Sequence, residues 1–169
     1  MAWGYNGYGQ TNVPGWLSNV VGVAAGDEHS LALQSDGRVV AWGNHNYGQT
    51  NVPAGLSNVV GVAAGRDHSL ALRADGTVVG WGQNNQGQCN VPSPNSGFVA
   101  IAAGCYFSLG LKSNGSIVAW GGNNTHGECD VPAAVEGGEQ RGRIRKSSGH
   151  AWLRYAPACG HRRPSDIRR

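Results

Sequence analysis

Residues 41–79 read AWGNHNYGQTNVPAGLSNVVGVAAGRDHSLALRADGTVV, and residues 2–40 before them read AWGYNGYGQTNVPGWLSNVVGVAAGDEHSLALQSDGRVV; the two agree at 29 of 39 positions. Residues 80–118 repeat the pattern more loosely, and a fourth copy opens at Ala119 as AWGGNNTHGECDVPAA. That copy has one extra residue between Trp120 and Pro132 and dissolves near Gly137. Trp3, Trp42, Trp81 and Trp120 each precede a glycine and stand 39 residues apart. A period of this length means one supersecondary unit per copy, which hides its apolar face only by stacking on its neighbours.

Each unit spells a hairpin. In HSLALQSDGRVVAWG, two apolar runs flank Asp36-Gly37, and the same slot holds Asp75-Gly76 and Asn114-Gly115. Such pairs predict a two-residue type I′ turn with both residues at positive φ. Ahead of each hairpin a run such as NVVGVAAG predicts a third strand. Its Ala-Ala-Gly end suits a place where backbones approach closely. The NYGQTNVP segment, rich in Gly, Asn and Pro, reads as loop with room for a short outer strand. No ten-residue stretch shows capped helical periodicity. The chain is therefore read as all-β, with three to four short antiparallel strands per unit. That is the pattern of a propeller blade, and a β-solenoid is the weaker alternative, because its coils are usually shorter.

The recurring residues Gly26, His29, Asp36-Gly37 and Trp42-Gly43 return as Gly65, His68, Asp75-Gly76 and Trp81-Gly82, then as Gly104, Phe107, Asn114-Gly115 and Trp120-Gly121. In this register the chain resembles the regulator-of-chromosome-condensation repeat family over residues 2–132. The short GQTNVP spacing is similar to bacterial members, a propeller-type β-lactamase inhibitor among them. The resemblance implies seven blades in a ring and roles in binding: nucleotide exchange on a small nuclear GTPase, chromatin docking and enzyme inhibition. A ring of seven needs 7 × 39 = 273 residues, and this chain has 169. It reads as an arc of a longer propeller, with units at 2–40, 41–79, 80–118 and a partial one at 119–136.

Positions shared by all units are assigned to folding. Trp3, Trp42, Trp81 and Trp120 are read as packing between blades, each with an indole N–H that needs a partner. His29 and His68 are read as structural, because the third unit has Phe107 in their slot and Phe has no lone pair to offer a metal or a proton. Gly37, Gly76 and Gly115 are read as turn glycines. Ser30, Ser69 and Ser108 follow the histidine slot without any nucleophile-elbow pattern, so hydrolase chemistry is not expected. The four cysteines lack zinc spacing and read as small reduced residues. No catalytic residue, cofactor or metal is expected.

Positions that vary between units are the candidates for partner binding. They fall in two loop sets. The first is Tyr5 and Asn6, Asn44, His45 and Asn46, and Gln83 and Asn84. The second is Asp27 and Glu28, Arg66 and Asp67, and Tyr106. Variable polar and aromatic side chains on a rigid frame suit a protein-binding surface.

Charge divides the chain. From Gly137 onward there are nine Arg or Lys and two acids; residues 1–136 hold the remaining four basic and eight acidic residues. The tail 137–169 reads as disordered or aberrant sequence, and nucleic-acid binding is expected of nothing but that tail. No signal peptide or transmembrane run is visible, so as written the chain would stay in the cytoplasm, while the family resemblance also allows a secreted protein whose true N-terminus lies upstream. The function read from these features is a non-enzymatic interaction scaffold. The alternatives are an inhibitor or nucleotide-exchange-type regulator of one specific enzyme or GTPase, acting through the loop face, and a fragment of a larger secreted or multidomain protein with no independent function. Self-association through the open ends of the arc is a further expectation, since each end exposes strand edges.

Overall fold

The structure is a computed structural model that describes residues 1–132. The reading of residues 137–169 lies outside the described residues. Among the described residues, nine strands form three separate antiparallel sheets: β1 (Val20–Ala25), β2 (His29–Gln34) and β3 (Val39–Gly43); β4 (Val59–Ala64), β5 (His68–Arg73) and β6 (Val78–Gly82); β7 (Phe98–Ala103), β8 (Phe107–Lys112) and β9 (Ile117–Gly121). Each is a blade of an open, partial propeller. The order within every sheet follows the chain, because short turns can join only adjacent antiparallel strands.

Registers repeat from blade to blade. Ala25 pairs with Ser30, and His29 pairs with Gly43; Ala64 pairs with Ser69, and His68 with Gly82. Each first strand carries a bulge just after its start, between Val20 and Gly22, Val59 and Gly61, and Phe98 and Ala100. The inserted residues Val21, Val60 and Val99 stand exposed. A blade joins the end of one sequence unit to the head of the next, so Trp42-Gly43 completes the first blade and Trp120-Gly121 the third.

Two expectations are corrected. No outer fourth strand forms in the NYGQTNVP segments, which run as turns. The hairpin turns are not type I′: Gly37, Gly76 and Gly115 have φ of 81°, 78° and 87°, but the residues before them do not enter that region. The backbone N–H of Gln34 donates to Arg38 O (2.8 Å) and that of Gly37 to Gln34 O (3.0 Å), closing a three-residue loop with glycine at its left-handed position. The acid's own chemistry favours this form. Asp36, Asp75 and Asn114 each accept the N–H two residues on, at 3.1, 2.9 and 3.0 Å, which holds the Asx residue in an ordinary turn conformation.

The core lies between blades rather than within them. Leu31 and Leu33 of the first blade pack on Val59, Ala71 and Trp81 of the second. Leu70, Leu72 and Val78 of the second pack on Phe98 and Trp120 of the third. Gly26 and Gly65 allow the blades to close to this distance. A Cβ on Gly65 would lie 2.5 Å from Gly104 O and 2.5 Å from its own blade's His68 Nδ1, and a Cβ on Gly26 would meet Gly65 O in the same way. The Ala-Ala-Gly expectation of close backbone approach thus has a specific cause.

Candidate interaction face

A polar relay crosses each junction beside the apolar core. His29 Nε2 lies 2.9 Å from Ser69 Oγ, and His68 Nε2 lies 3.0 Å from Ser108 Oγ. Ser69 donates its hydroxyl to Gln49 O (2.9 Å), and Trp81 Nε1 donates to that same oxygen (2.9 Å). Ser108 and Trp120 share Gln88 O at 2.8 and 3.0 Å, and Ser30 and Trp42 share Gln10 O at 2.8 Å each. Since the serine proton goes to the carbonyl, the histidine must donate from Nε2, and its Nδ1 is left without a partner. This Ser–His contact is therefore no nucleophile–base pair. The histidine cannot take the serine's proton, nothing orients it from Nδ1, and His29, His68, Ser69 and Ser108 are buried. Burial lowers both imidazoles from 6.5 to about 4, so they are neutral near pH 7.

Gln10, Gln49 and Gln88 were not singled out by sequence reasoning, although the GQ pair recurs in all three full units and is GE, Gly127-Glu128, in the partial fourth. Each side-chain oxygen turns back to accept the N–H two residues earlier, at 3.0, 3.0 and 2.9 Å, while the backbone carbonyl of the same residue faces the serine and tryptophan of the blade that follows. The signal available was their invariance among the three copies.

Both variable loop sets lie along one edge of the blades, opposite the hairpin turns. Asn44 N–H donates to Glu28 O (2.8 Å), Gln83 N–H to Asp67 O (2.8 Å), and Gly122 N–H to Tyr106 O (2.7 Å), which ties the loops that follow β3, β6 and β9 to those that follow β1, β4 and β7. Arg66 ties three blades together on this rim. Its Nε lies 3.5 Å from Asp67 and 3.9 Å from Asp27, Nη1 bonds to the Tyr106 hydroxyl, and the guanidinium sits 5.6 Å from the Tyr106 ring centre. The Asp67 carboxyl is held above its ordinary value, chiefly by burial; Arg66 opposes this, while Glu28 and Asp27 add to it.

Not all candidates point outward. Asn44 is buried, with Nδ2 2.6 Å from Glu28 Oε2 and Oδ1 accepting the Asn46 N–H. Asp67 is buried too, within 3.5 Å of Gln49 Nε2. Asn6 and Asn84 brace their own loops, each bonded to an Asn six residues on (Asn12, Asn90) at 2.8 Å. Tyr5, His45, Asn46 and Tyr106 are exposed, and so are Tyr8 and Tyr47, which the shared YGQ motif had concealed. Among the described residues the rim holds Asp27, Glu28 and the buried Asp67 beside one basic side chain, Arg66. It is an acidic edge studded with tyrosines.

Among the structural candidates, Trp81 and Trp120 are buried, and Trp42 is half-buried. Trp3 departs from the packing expectation: it lies in none of the three described blades and is 86% exposed. Cys89 and Cys129 are free thiols, each donating to a backbone carbonyl (Gln83 O, Gly121 O), and burial raises Cys89 to about 11. Cys105 corrects the reduced reading, since it is disulfide-bonded. Among the described residues no three His, Cys, Asp or Glu gather in a metal-ligating group, and no helix is long and apolar enough to cross a membrane.

The chain matches the Regulator of chromosome condensation (RCC1) repeat at residues 20–49, 59–88 and 98–128. Among solved structures it is similar to Prp20p of Saccharomyces cerevisiae, described with its binding to Gsp1p and histones: 26% identity, TM-score 0.54, covering 63% of this chain and 34% of that one. Yeast RCC1 (Prp20) bound to Kap60 gives 25% identity and a TM-score of 0.58, over 70% of this chain and 38% of that one. The ectodomain of the Physcomitrella patens receptor kinase CR4 gives 27% identity and a TM-score of 0.58, over 70% and 35%. The chain spans about a third of the length of each. No curated protein matches it.

Proposed function

The chain belongs to the regulator-of-chromosome-condensation (RCC1) repeat family, and on that premise we propose that it is a non-enzymatic scaffold that binds a basic protein partner through its loop edge. One observation carries this reading. Both variable loop sets lie on the same edge, where exposed tyrosines stand among carboxylates. Tyrosine supplies contact area at low entropic cost, and an acidic rim steers and selects a cationic partner. Prp20p is described as binding histones and Gsp1p, which supports a basic protein as the first partner class and a GTPase as the second.

The test uses purified core histones and a small nuclear GTPase as probes. Tyr47→Ala with Tyr106→Ala alters the loop edge, and Arg38→Ala alters the hairpin edge as control. The loop variant should weaken histone binding at least about tenfold, about 1.4 kcal/mol, while the control binds as wild type. Binding should also fall as salt rises. Loop variants that bind like wild type would defeat the proposal. Accelerated nucleotide release from the GTPase, lost in the same variant, would favour the regulator reading instead.

A further inference from the structure

The first blade carries half of a junction. A cavity of about 440 Å³ opens on its flank, lined among others by Val13, Val20, Val23, Ala25, Ser30 and Trp42. One unit on, the equivalent residues are Val52, Val59, Val62, Ala64, Ser69 and Trp81. Most of these form the surface on which Leu31 and Leu33 pack, and Ser69 receives the bond from His29. In the first blade no described strand packs on that place: Met1, Ala2 and Trp3 line the cavity without filling it, and Val23 is 66% exposed.

The complementary half lies on the third blade, on which no other described blade packs. Leu70, Leu72 and Val78 of the second blade are buried against the third. Their counterparts Leu109, Leu111 and Ile117 have no described blade beyond them, and Ile117 is 50% exposed where Val78 is 2%. Twice within this chain a flank of the one kind closes on a flank of the other.

We propose that the cavity of the first blade receives the third blade of a second copy of this chain, head to tail. The junction already formed twice supplies both shapes, with Leu109, Leu111 and Ile117 entering where Leu31, Leu33 and Val39 enter the second blade. Two local differences follow from the sequence. Phe107 stands where a histidine would bond to Ser30, so this junction lacks the histidine–serine bond and is weaker than the internal ones. Residues 122–131 of the donor copy and residues 4–13 of the acceptor compete for one seat. Gln10 already holds that seat through Ser30 and Trp42, so the donor's segment yields. The contact joins unlike surfaces and leaves one free flank of each kind, so association grows with concentration. It uses the flanks rather than the loop edge and does not depend on the partner proposed above.

Sedimentation of the full 169-residue chain tests this. The wild-type mass should rise above 17.6 kDa with concentration. Val23→Glu blocks the acceptor flank and Ile117→Glu the donor flank, and each variant alone should stay monomeric. An equimolar mixture should form a complex of 2 × 17.6, or about 35 kDa, because each variant retains the half that the other lacks. A mixture that stays monomeric would overturn the proposal, as would a monomeric wild type or self-association of either single variant. Both sites are exposed, and unchanged circular dichroism checks that the variants fold. The milder Val23→Gln and Ile117→Gln should show the same pattern with smaller shifts in mass.

Discussion

The two buried histidines give the molecule a pH dependence of definite sign. Their folded value of about 4 lies below the unfolded 6.5. Between those values the unfolded chain binds more protons, so stability is fully present above pH 6.5 and is lost as pH falls toward 4. The ceiling is roughly 3 kcal/mol per histidine. Thermal melts at pH 7 and pH 4.5 should show the drop, and His68→Phe should remove about half of it. At pH 7 the same substitution removes the bond to Ser108 and should lower stability by roughly 0.5–1.5 kcal/mol. The chain makes that exchange itself at Phe107. A pH dependence unchanged in the variant would show that other groups cause it. The glycines at the junctions are less forgiving. Gly65→Ala drives a methyl onto Gly104 O and the His68 ring and should cost about 1–3 kcal/mol or more. Gly15→Ala, with nothing within 4 Å, should stay within about 0.5 kcal/mol of wild type. Denaturant midpoints of the two variants measured side by side check the contrast.

At the scale of the element, a blade is defined at both ends by backbone chemistry. Asn19 and Asn58 precede β1 and β4 at φ of 53° and 56°, and Gly97 precedes β7 at 71°. Their carbonyls accept the N–H of Ser35, Ala74 and Ser113 at 2.8, 2.9 and 2.9 Å, pinning each strand entry to the hairpin of its own blade. The Asn/Gly exchange among the copies was a legible sign of positive φ, since those two residue types tolerate it best. At the hairpin tip, Gly76 combines φ of 78° with a Cβ position 3.0 Å from Gly97 N. Gly76→Ala should therefore destabilise the fold by about 1–2 kcal/mol, the usual cost of the left-handed conformation. Equilibrium unfolding measures it, and a neutral result would contradict the three-residue loop.

At the scale of the whole molecule, stability is a sum over junctions, because each blade shares its core with its neighbours. The second blade is covered on both flanks, and His68, Ser69, Leu70 and Ala71 of β5 are fully buried. Hydrogen exchange should be slowest in β5 and faster in β2 and β8, whose blades each pack on one described neighbour where the second blade packs on two. Equal protection of all three central strands in the monomer would contradict a fold held together at its junctions. The flanking blades should gain protection as the chain associates, which links this measurement to the sedimentation test.

The sequence by itself determined the blade. A 39-residue period, β-branched runs and Asx-Gly pairs are local signals, and their recurrence in fixed register made strand positions, turn positions and the all-β class readable without coordinates. The three-residue form of the turn was not readable, because Asp-Gly is compatible with either loop, and strand register together with the Asx hydrogen bond selects between them. Tertiary structure alone decided which side of a unit meets which side of the next. Ser69 answers to a histidine 40 residues away, a pairing that no local pattern encodes. For the same reason, the buried places of Asn44 and Asp67, the exposure of Trp3 and the convergence of two loop sets on one edge were invisible in the chain. A residue's variability shows that packing does not demand one side chain there, whereas burial depends on the position of the neighbouring blade.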